Sequence, residues 1–324
     1  MFETRVTEIF KIKYPIIQGA LGYLSGPELV SAVSNAGGLG SLATAGISSA
    51  TGLREEIRKT KSLTDKPFAV NFSFLPGRGL KHEETRDIII EEGVPVVETI
   101  ATGKIPEHIL KPLKESGVKR IHKCSKVSHA MSAEKEGADA VAILGFGADG
   151  HPGLDEISHM VNVPKAVESL KIPIIMAGGI ADARGFIAAL SLGAEGVLLG
   201  TRFLTTKECP IHPNIRERLL QAQETDTVMV DVTHGVPSRR WRNKITLEAL
   251  EAEKKGASLE EMIEFLSGER AAKALREGDV EGGCFGCGQV IGIIHEIVTV
   301  KEVIEGIINE ASAIIERLRL LAQA

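Results

Sequence analysis

The chain has 324 residues, 43% of them hydrophobic and 25% charged, a balance typical of a globular protein. A net charge of -5 and only 4% aromatic residues argue against nucleic acid or an anionic membrane as a partner. No apolar run is long enough to span a membrane, the N-terminus lacks the apolar stretch of a signal peptide, and four cysteines favour a reducing, cytoplasmic location.

Short apolar runs rich in Ile and Val recur along the first two hundred residues, each followed by turn residues. They begin near Pro15, Leu39, Pro67, Pro95, Lys119, Ala140, Pro173 and Gly196. Helical periodicity fills several of the intervals, at residues 27–35, 50–60, 83–92, 106–116 and 127–136. Repeated strand–helix units of nearly even length predict an α/β fold, a closed (β/α)₈ TIM barrel, in preference to an open doubly wound sheet.

Two glycine-rich turns lie near the end of the predicted barrel. Gly178 and Gly179 follow the seventh predicted strand, and Gly200 and Thr201 follow the eighth. Neighbouring parallel strands end at the same edge, so both turns offer backbone N–H groups at one place, as a phosphate site requires. The alternative is two ordinary strand-to-helix turns, in which glycine is common.

The pattern changes after Thr205. Helical segments at 215–224, 246–254, 259–266 and 270–276 flank a polar stretch, 231–245, that we interpret as irregular. We expect residues 1–207 to form the barrel and 208–290 to form a smaller, mostly helical second domain over its mouth. Residues 291–324 contain an amphipathic helix, which we expect to return to the barrel wall.

Polar side chains end several predicted strands, where the chemistry of such a barrel is found. They are Gln18, Asn71, Ser73, Glu98, Thr99, His122, Lys123 and Cys124. A polar group buried without a partner is costly, so we expect these side chains to face a ligand. Lys123 could stabilise a bound anion, or it could pair with Glu98 or Asp149.

His151, in a loop of glycines and a proline, is the best candidate for a catalytic base among nine histidines. We expect four histidines on predicted helices or loops to be solvated, namely His82, His108, His129 and His159. His212 and His234 could approach the site or be structural. Cys284 and Cys287 form a lone CxxC, too few ligands for a zinc site, and we favour two free thiols over a redox pair. We expect no bound metal.

Taken together, several motifs resemble the nitronate monooxygenase family, formerly called 2-nitropropane dioxygenases. They are PIIQGALG, VNFSFLP, GADGHPG, PIIMAGGIADARG, GAEGVLLGTRFLTTKECPIHP and GDVEGG, and they extend over nearly the whole chain. The family also contains FMN-dependent NAD(P)H:quinone reductases and the flavin-type enoyl-acyl carrier protein reductase. The resemblance implies a (β/α)₈ barrel with FMN at its mouth and a second domain over it.

Motif by motif, the resemblance implies a set of flavin contacts. The turn of Gln18, Gly19, Ala20, Leu21 and Gly22 would lie beside the flavin ring. Asn71 or Ser73, together with Lys123, would contact the ring or the ribityl chain. Gly178, Gly179, Gly200 and Thr201 would hold the phosphate, His151 would be the catalytic histidine, and the loop 283–289 would lie near the flavin.

Two positions depart from the family pattern. Asp149 stands where the family usually has a small residue, which adds a carboxylate to the candidate cofactor contacts. Ala20 and Leu21 stand where the family often has Gly-Met. The expected activity is oxidation of alkyl nitronates with oxygen, with a small-molecule substrate and a homodimer as one option. The alternatives are reduction of a quinone or an enoyl thioester with NAD(P)H as reductant, or a non-catalytic flavin- or phosphate-binding barrel.

Overall fold

The computed structural model describes residues 2–75, 80–101 and 103–323, which form a barrel of eight parallel strands. The strands are β1 (Ile16–Gln18), β2 (Gly40–Leu42), β3 (Phe68–Ser73), β4 (Val96–Ile100), β5 (Lys119–Cys124), β6 (Ala140–Leu144), β7 (Ile174–Ala177) and β8 (Gly196–Leu199). From β2 to β8 each strand pairs with the next along the chain, and β8 pairs with β1. A bridge between Ile17 and Leu39 joins β1 to β2, so the predicted (β/α)₈ TIM barrel is confirmed.

Helices alternate with the barrel strands. They are α1 (Arg5–Phe10), α2 (Pro27–Asn35), α3 (Ala50–Leu63), α4 (His82–Glu91), α5 (Glu107–Glu115), α6 (Val127–Lys135), α7 (His159–Ser169) and α8 (Ala183–Ser191). The sequence did not predict α1, which has only six residues. Its Val6 and Phe10 pack with the apolar interior of the barrel, so α1 closes the end opposite the predicted mouth.

Alternation of side chains along the strands separates the interior of the barrel from its outer wall. Ile17, Ala69, Ile121 and Leu198 belong to the interior cluster, which is apolar near α1. Their neighbours in sequence, such as Ile16 and Val197, pack outward in the cluster that includes the helices. Nearer the carboxyl ends of the strands, at the barrel mouth, the positions that face the interior become polar.

Residues 208–290 contain helices and one β-hairpin. Helix α9 (Thr201–Leu204) directly follows β8, and the elements of 208–290 are α10 (Pro213–Leu220), β9 (Thr227–Val230), β10 (Ser238–Trp241), α11 (Lys244–Lys254), α12 (Leu259–Leu266) and α13 (Gly268–Glu277). The interpretation of 231–245 as irregular is therefore wrong, because it contains β10, antiparallel to β9. Polar side chains hid this strand, whose Trp241 is buried and stacked on Phe285 with 6.1 Å between ring centroids.

The last helix, α14 (Val300–Leu321), contacts α8 and α2 on the barrel wall. Val303, Ile304 and Ile307 are buried there. The predicted apolar face is longer than the buried one, because Ile315 and Leu318 remain 45% and 44% exposed. In the described part of the chain no helix is long and apolar enough to cross a membrane.

Candidate functional site

The carboxyl ends of β7 and β8 bring together Gly178, Gly179, Gly200 and Thr201. We call these four residues the glycine end. Gly178 and Gly179 have φ angles of 80° and 72°, which L side chains rarely adopt, and a Cβ on Gly178 would collide with Ala148. Hydrogen bonds of the barrel ladder end with Gly178 N to Leu198 O, at 2.9 Å. Beyond it, the amides of Gly179, Gly200 and Thr201 donate to no acceptor among the described residues.

The loop that contains Cys284 and Cys287 covers the glycine end. Gly288 N donates to Thr201 Oγ1 at 3.0 Å, and Gln289 N donates to Gly147 O at 3.0 Å. The structure therefore brings this loop to the place where the sequence put the phosphate turns. Both thiols are buried, and burial raises the pKa of each, which makes them poor nucleophiles. Within the described ranges no cluster of His, Cys, Asp and Glu is arranged to hold a metal ion.

The carboxylate of Asp149 lies between the glycine end and this loop. A Cβ added to Gly200 would lie 3.2 Å from Oδ1, and one added to Gly286 would lie 3.3 Å from Oδ2. No lysine or arginine of the described residues is within ion-pair distance of this carboxylate. Burial raises the pKa of Asp149, and the positive charges of Lys123 and Arg240 only partly oppose that shift.

The opposite side of the barrel mouth contains Asn71, Glu98 and Lys123. We call these three residues the charged end. Lys123 Nζ is 2.5 Å from Glu98 Oε1, and Asn71 Nδ2 donates to the same oxygen at 3.1 Å. Glu98 is fully buried, and its Oε2 has no hydrogen-bond partner among the described residues. Of the two pairings considered for Lys123, the structure has the one with Glu98. Ser73, nearby on β3, accepts a hydrogen bond from Leu75 N at 3.3 Å.

Three of the polar strand ends point away from the mouth, so the prediction that they face a ligand is wrong for them. Thr99 Oγ1 and His122 Nδ1 are 3.0 Å apart and buried outside the barrel, and Cys124 packs in the outer cluster. Burial lowers the pKa of His122 to about 4 and raises that of Cys124 to about 12. Thr99, His122 and Cys124 are each adjacent in sequence to a residue that faces the interior. Because side chains alternate along a strand, these three lie on its other face.

The turn after β1 lies beside the glycine end. Gln18 is fully buried; its Nε2 donates to Ser25 Oγ at 2.8 Å and to Gly19 O, and its Oε1 accepts from Ser41 N at 3.1 Å. Ser25 Oγ also accepts from Leu21 N at 2.8 Å. Gln18 and Ser25 therefore fix the turn that contains Ala20, Leu21 and Gly22. The side chain of Leu21 approaches Gly200, where an added Cβ would lie 3.5 Å from its Cδ2.

His151 is half-buried in the loop after β6, and β10 holds that loop in place. Gly150 O accepts from Arg239 N at 2.8 Å, and Phe146 O accepts from Arg239 Nε at 3.1 Å. The Arg239 guanidinium also lies 4.6 Å from the centroid of the Phe146 ring. Arg239 and Arg240 were not among the residues predicted from the sequence, where two arginines beside the single tryptophan were the available signal.

The other histidines divide between surface and structural positions. His108 and His129 are exposed, as predicted. His159 is not solvated: its Nε2 is 2.9 Å from Ala177 O, and burial lowers its pKa. His82 packs against Phe74, with ring centroids 4.5 Å apart. Within residues 208–290, His212 is the N-cap of α10 and accepts a hydrogen bond from Asn214 N at 3.2 Å. His234 Nδ1 is 2.8 Å from Asp231 Oδ1. These contacts favour structural roles for both histidines.

A family model described as nitronate monooxygenase matches residues 3–310. The chain belongs to the nitronate monooxygenase family. The resemblance stated from the motifs is thereby confirmed, and the protein is a flavin-dependent oxidoreductase.

Several individual proteins are similar to this chain over much of its length. A probable nitronate monooxygenase of Staphylococcus saprophyticus is 36% identical over 284 residues, which cover 74% of this chain and 79% of the relative. A 5-hydroxy-7a-methyl-1-oxo-octahydro-1H-indene-4-carboxyl-CoA dehydrogenase of Rhodococcus jostii is 31% identical and covers 98% of both chains. The solved structure of FabK from Thermotoga maritima is 38% identical, with a TM-score of 0.90 over 98% of this chain and 99% of that one.

The residues at the barrel mouth fit the flavin that the family uses. Glycine amides without protein acceptors suit a phosphate, and the collisions that a Cβ would make at Gly178 show how closely the two loops approach there. At the other end, the Oε2 atom of Glu98 lacks a donor that a ligand hydroxyl or N–H could supply. The two ends together offer both backbone donors and charged side chains around one opening.

A groove of about 710 Å³ lies at the rim of the barrel. It runs between the loops after β1 and β2 and helix α13, and its charged lining residues are Glu55, Glu56, Glu269, Glu277, Lys273 and Arg276. Tyr23 O accepts from Arg276 Nη2 at 3.0 Å, which ties α13 to the rim of the barrel. The volume is typical of a small-molecule site, and the lining carries more negative than positive side chains.

Proposed function

We propose that the protein binds FMN without covalent attachment and oxidises alkyl nitronates with oxygen. The observation that supports this most is that the amides of Gly179, Gly200 and Thr201, at the adjacent ends of β7 and β8, donate to no acceptor among the described residues. A single phosphate site suits a mononucleotide, whereas FAD would need a second one, and no dinucleotide fingerprint follows the first strand.

The bound flavin would supply the electron transfer, and the protein supplies position and charge. His151 orients the nitro group or takes a proton from a neutral nitroalkane, since it lies in a loop fixed by Arg239 at the mouth. Lys123, held at 2.5 Å by Glu98, presents a cation that favours negative charge at the charged end. The loop over Thr201 shields the opposite end from water.

The cofactor released by heating the purified protein tests this proposal. Chromatography should identify FMN, and anaerobic addition of a nitronate should bleach the flavin spectrum, with recovery on admission of oxygen. Finding FAD, or no flavin after reconstitution, would contradict the cofactor assignment. A flavin that no nitronate, NAD(P)H or dithionite-plus-acceptor turns over would favour a non-catalytic flavin-binding barrel.

The groove supports a second candidate function, NAD(P)H:quinone reduction. At about 710 Å³ it is far larger than a short-chain nitronate needs. Four glutamates against Lys273 and Arg276 disfavour the polyanionic arm of a coenzyme A or carrier-protein thioester, so a neutral quinone fits the lining better. The Rhodococcus relative, named as a CoA dehydrogenase, keeps the thioester as a third option. Steady-state NADH oxidation with and without a quinone discriminates this function from nitronate oxidation.

A further inference from the structure

Asp149 places a carboxylate against the glycine end. Cβ atoms added at Gly200 and at Gly286 would lie 3.2 and 3.3 Å from its two oxygens, so the carboxylate occupies the gap between them. We propose that Asp149 takes up a proton when FMN binds, so that the phosphate meets a neutral carboxyl group. The inference rests on the proposed FMN site and adds a proton-linked property that the proposed function does not include.

The neighbours of Asp149 provide little charge compensation. Lys123 on β5 is committed to Glu98 at 2.5 Å, and Arg240 on β10 lies beyond ion-pair distance from the carboxylate. Cys287, on the covering loop, and His151, in the same loop as Asp149, are the other titratable groups on this side. The phosphate would be held by amides alone, and α9 has only four residues, so its dipole offsets little of a further negative charge.

Electrostatics then links the phosphate to the proton. Burial already raises the pKa of Asp149 in the protein, and a phosphate dianion beside it would raise that pKa further. A group whose pKa rises on binding takes up a proton, so affinity for the ligand falls as pH rises through the pKa of the free site. In the limiting range the loss is about tenfold per pH unit, because binding then requires one proton.

Paired titrations with FMN and riboflavin test the proposal. Their dissociation constants are measured by quenching of flavin fluorescence from about pH 7 to 9.5, where the FMN phosphate stays a dianion because its second pKa is near 6. For the wild type, FMN affinity should fall with pH, while riboflavin, which has no phosphate, should not change. In weak buffer, a pH indicator should report uptake of up to about one proton for each FMN bound.

Substitutions assign the proton to this residue. Asp149→Asn should make FMN affinity independent of pH, and at the highest pH at least about tenfold tighter than in the wild type. Asp149→Gly, which removes the whole side chain, serves as a second variant. Asp155→Asn is the matched control: it removes the same charge in the same loop, but from an exposed side chain that pairs with Lys126 at 2.6 Å, and it should behave as the wild type.

Equal pH profiles for FMN and riboflavin in the wild type would overturn the inference. An Asp149→Asn variant as dependent on pH as the wild type would do the same. Absence of FMN binding at every pH would refute the proposed function and the inference with it, whereas FMN binding that is insensitive to pH would refute the inference alone.

Discussion

The two ends of the barrel mouth use different means to meet a ligand. The glycine end offers backbone amides of Gly179, Gly200 and Thr201, which are fixed by the strands and need no side chain. The charged end offers Lys123 and Asn71, both held by the buried carboxylate of Glu98. A site built from backbone is damaged by adding atoms, and one built from paired side chains is damaged by removing them. Substitutions at the two ends should therefore fail in opposite ways.

The largest effect is expected at the glycine end, from Gly200→Asp. The new carboxylate would stand beside that of Asp149, 3.2 Å from its Oδ1 even at the Cβ, and at the amides where we propose the phosphate binds. The folded variant should be colourless after purification. Gly200→Ala is the control for bulk, because it adds a methyl group without charge, and it should retain more flavin than the aspartate variant. Stoichiometric flavin in the aspartate variant would show that the phosphate binds elsewhere.

His151→Ala should slow the substrate half-reaction by about 10² to 10⁴ while flavin stays bound. His151 lies in the loop anchored by Arg239, and the proposed phosphate contacts are backbone amides that its replacement leaves in place. The loss should be larger for neutral nitroalkanes, which need proton removal, than for nitronates, and small for NADH. Anaerobic stopped-flow with each reductant separates these cases. Equal losses with all three would mean that His151 shapes the pocket and performs no proton transfer.

At the charged end, Lys123→Met should destabilise the fold by about 3 to 5 kcal/mol, because it leaves the Glu98 carboxylate buried and unpaired. Glu98 is fully buried, so water cannot replace the lost partner. Urea unfolding measures the change. Lys119→Met is the matched control on the same strand: its ion pair with Asp139 is exposed, and its loss should cost less than about 1 kcal/mol. Equal costs would show that the buried pair contributes no more than a surface pair.

The sequence predicted the barrel and the glycine end because both depend on local patterns. Apolar runs at even spacing identify the strands, and Gly178 and Gly200 stand directly after two of them. Thr99 and His122 were wrongly assigned to the ligand side, although strand alternation would have separated them from Glu98 and Lys123. The prediction was wrong because it assigned all polar residues near a strand end to one face, whereas consecutive side chains of a strand point to opposite faces.

Other features depend on contacts between distant segments, which no local pattern reveals. Arg239 supports the His151 loop only because β10 folds back onto it, more than eighty residues later in the chain. Asp149 meets Gly286 for the same reason. Residues 208–290 therefore contribute to the candidate site through β10 and the loop that contains Cys284 and Cys287. Neither contribution could be predicted from the spacing of the motifs.

His122 allows the outward face to be tested by pH. Its pKa of about 4 lies below the usual value near 6.5, because the folded protein buries the ring. Between these two pH values the unfolded chain binds a proton that the folded one does not, so stability falls as pH falls through this window. The loss attributable to His122 should approach about 3 kcal/mol. Urea unfolding at pH 7.5 and at pH 4.5 should show a smaller difference for His122→Gln than for the wild type.

His295→Gln is the control for that measurement, since His295 is exposed and is not among the charged groups that help to lower the pKa of His122, so it should alter the difference far less than His122→Gln. A His122→Gln variant that loses as much stability on acidification as the wild type would show that other groups dominate. In that case the buried position of His122, outside the barrel, would have no energetic consequence in this range of pH.

The smallest effect is expected from replacing Cys284 and Cys287 together by serine. Both thiols are buried with raised pKa values, and Cys284 Sγ accepts a hydrogen bond from Thr246 Oγ1 at 3.3 Å, so neither is poised as a thiolate. The flavin already provides electron transfer, and turnover of the double variant should stay within a factor of about three. Thermal unfolding of the same variant, and of a double alanine variant, separates a packing defect from a chemical one. A loss of about a hundredfold in turnover with unchanged stability, roughly 2.7 kcal/mol in barrier, would place the thiols in the reaction and make the covering loop more than a shield over Thr201.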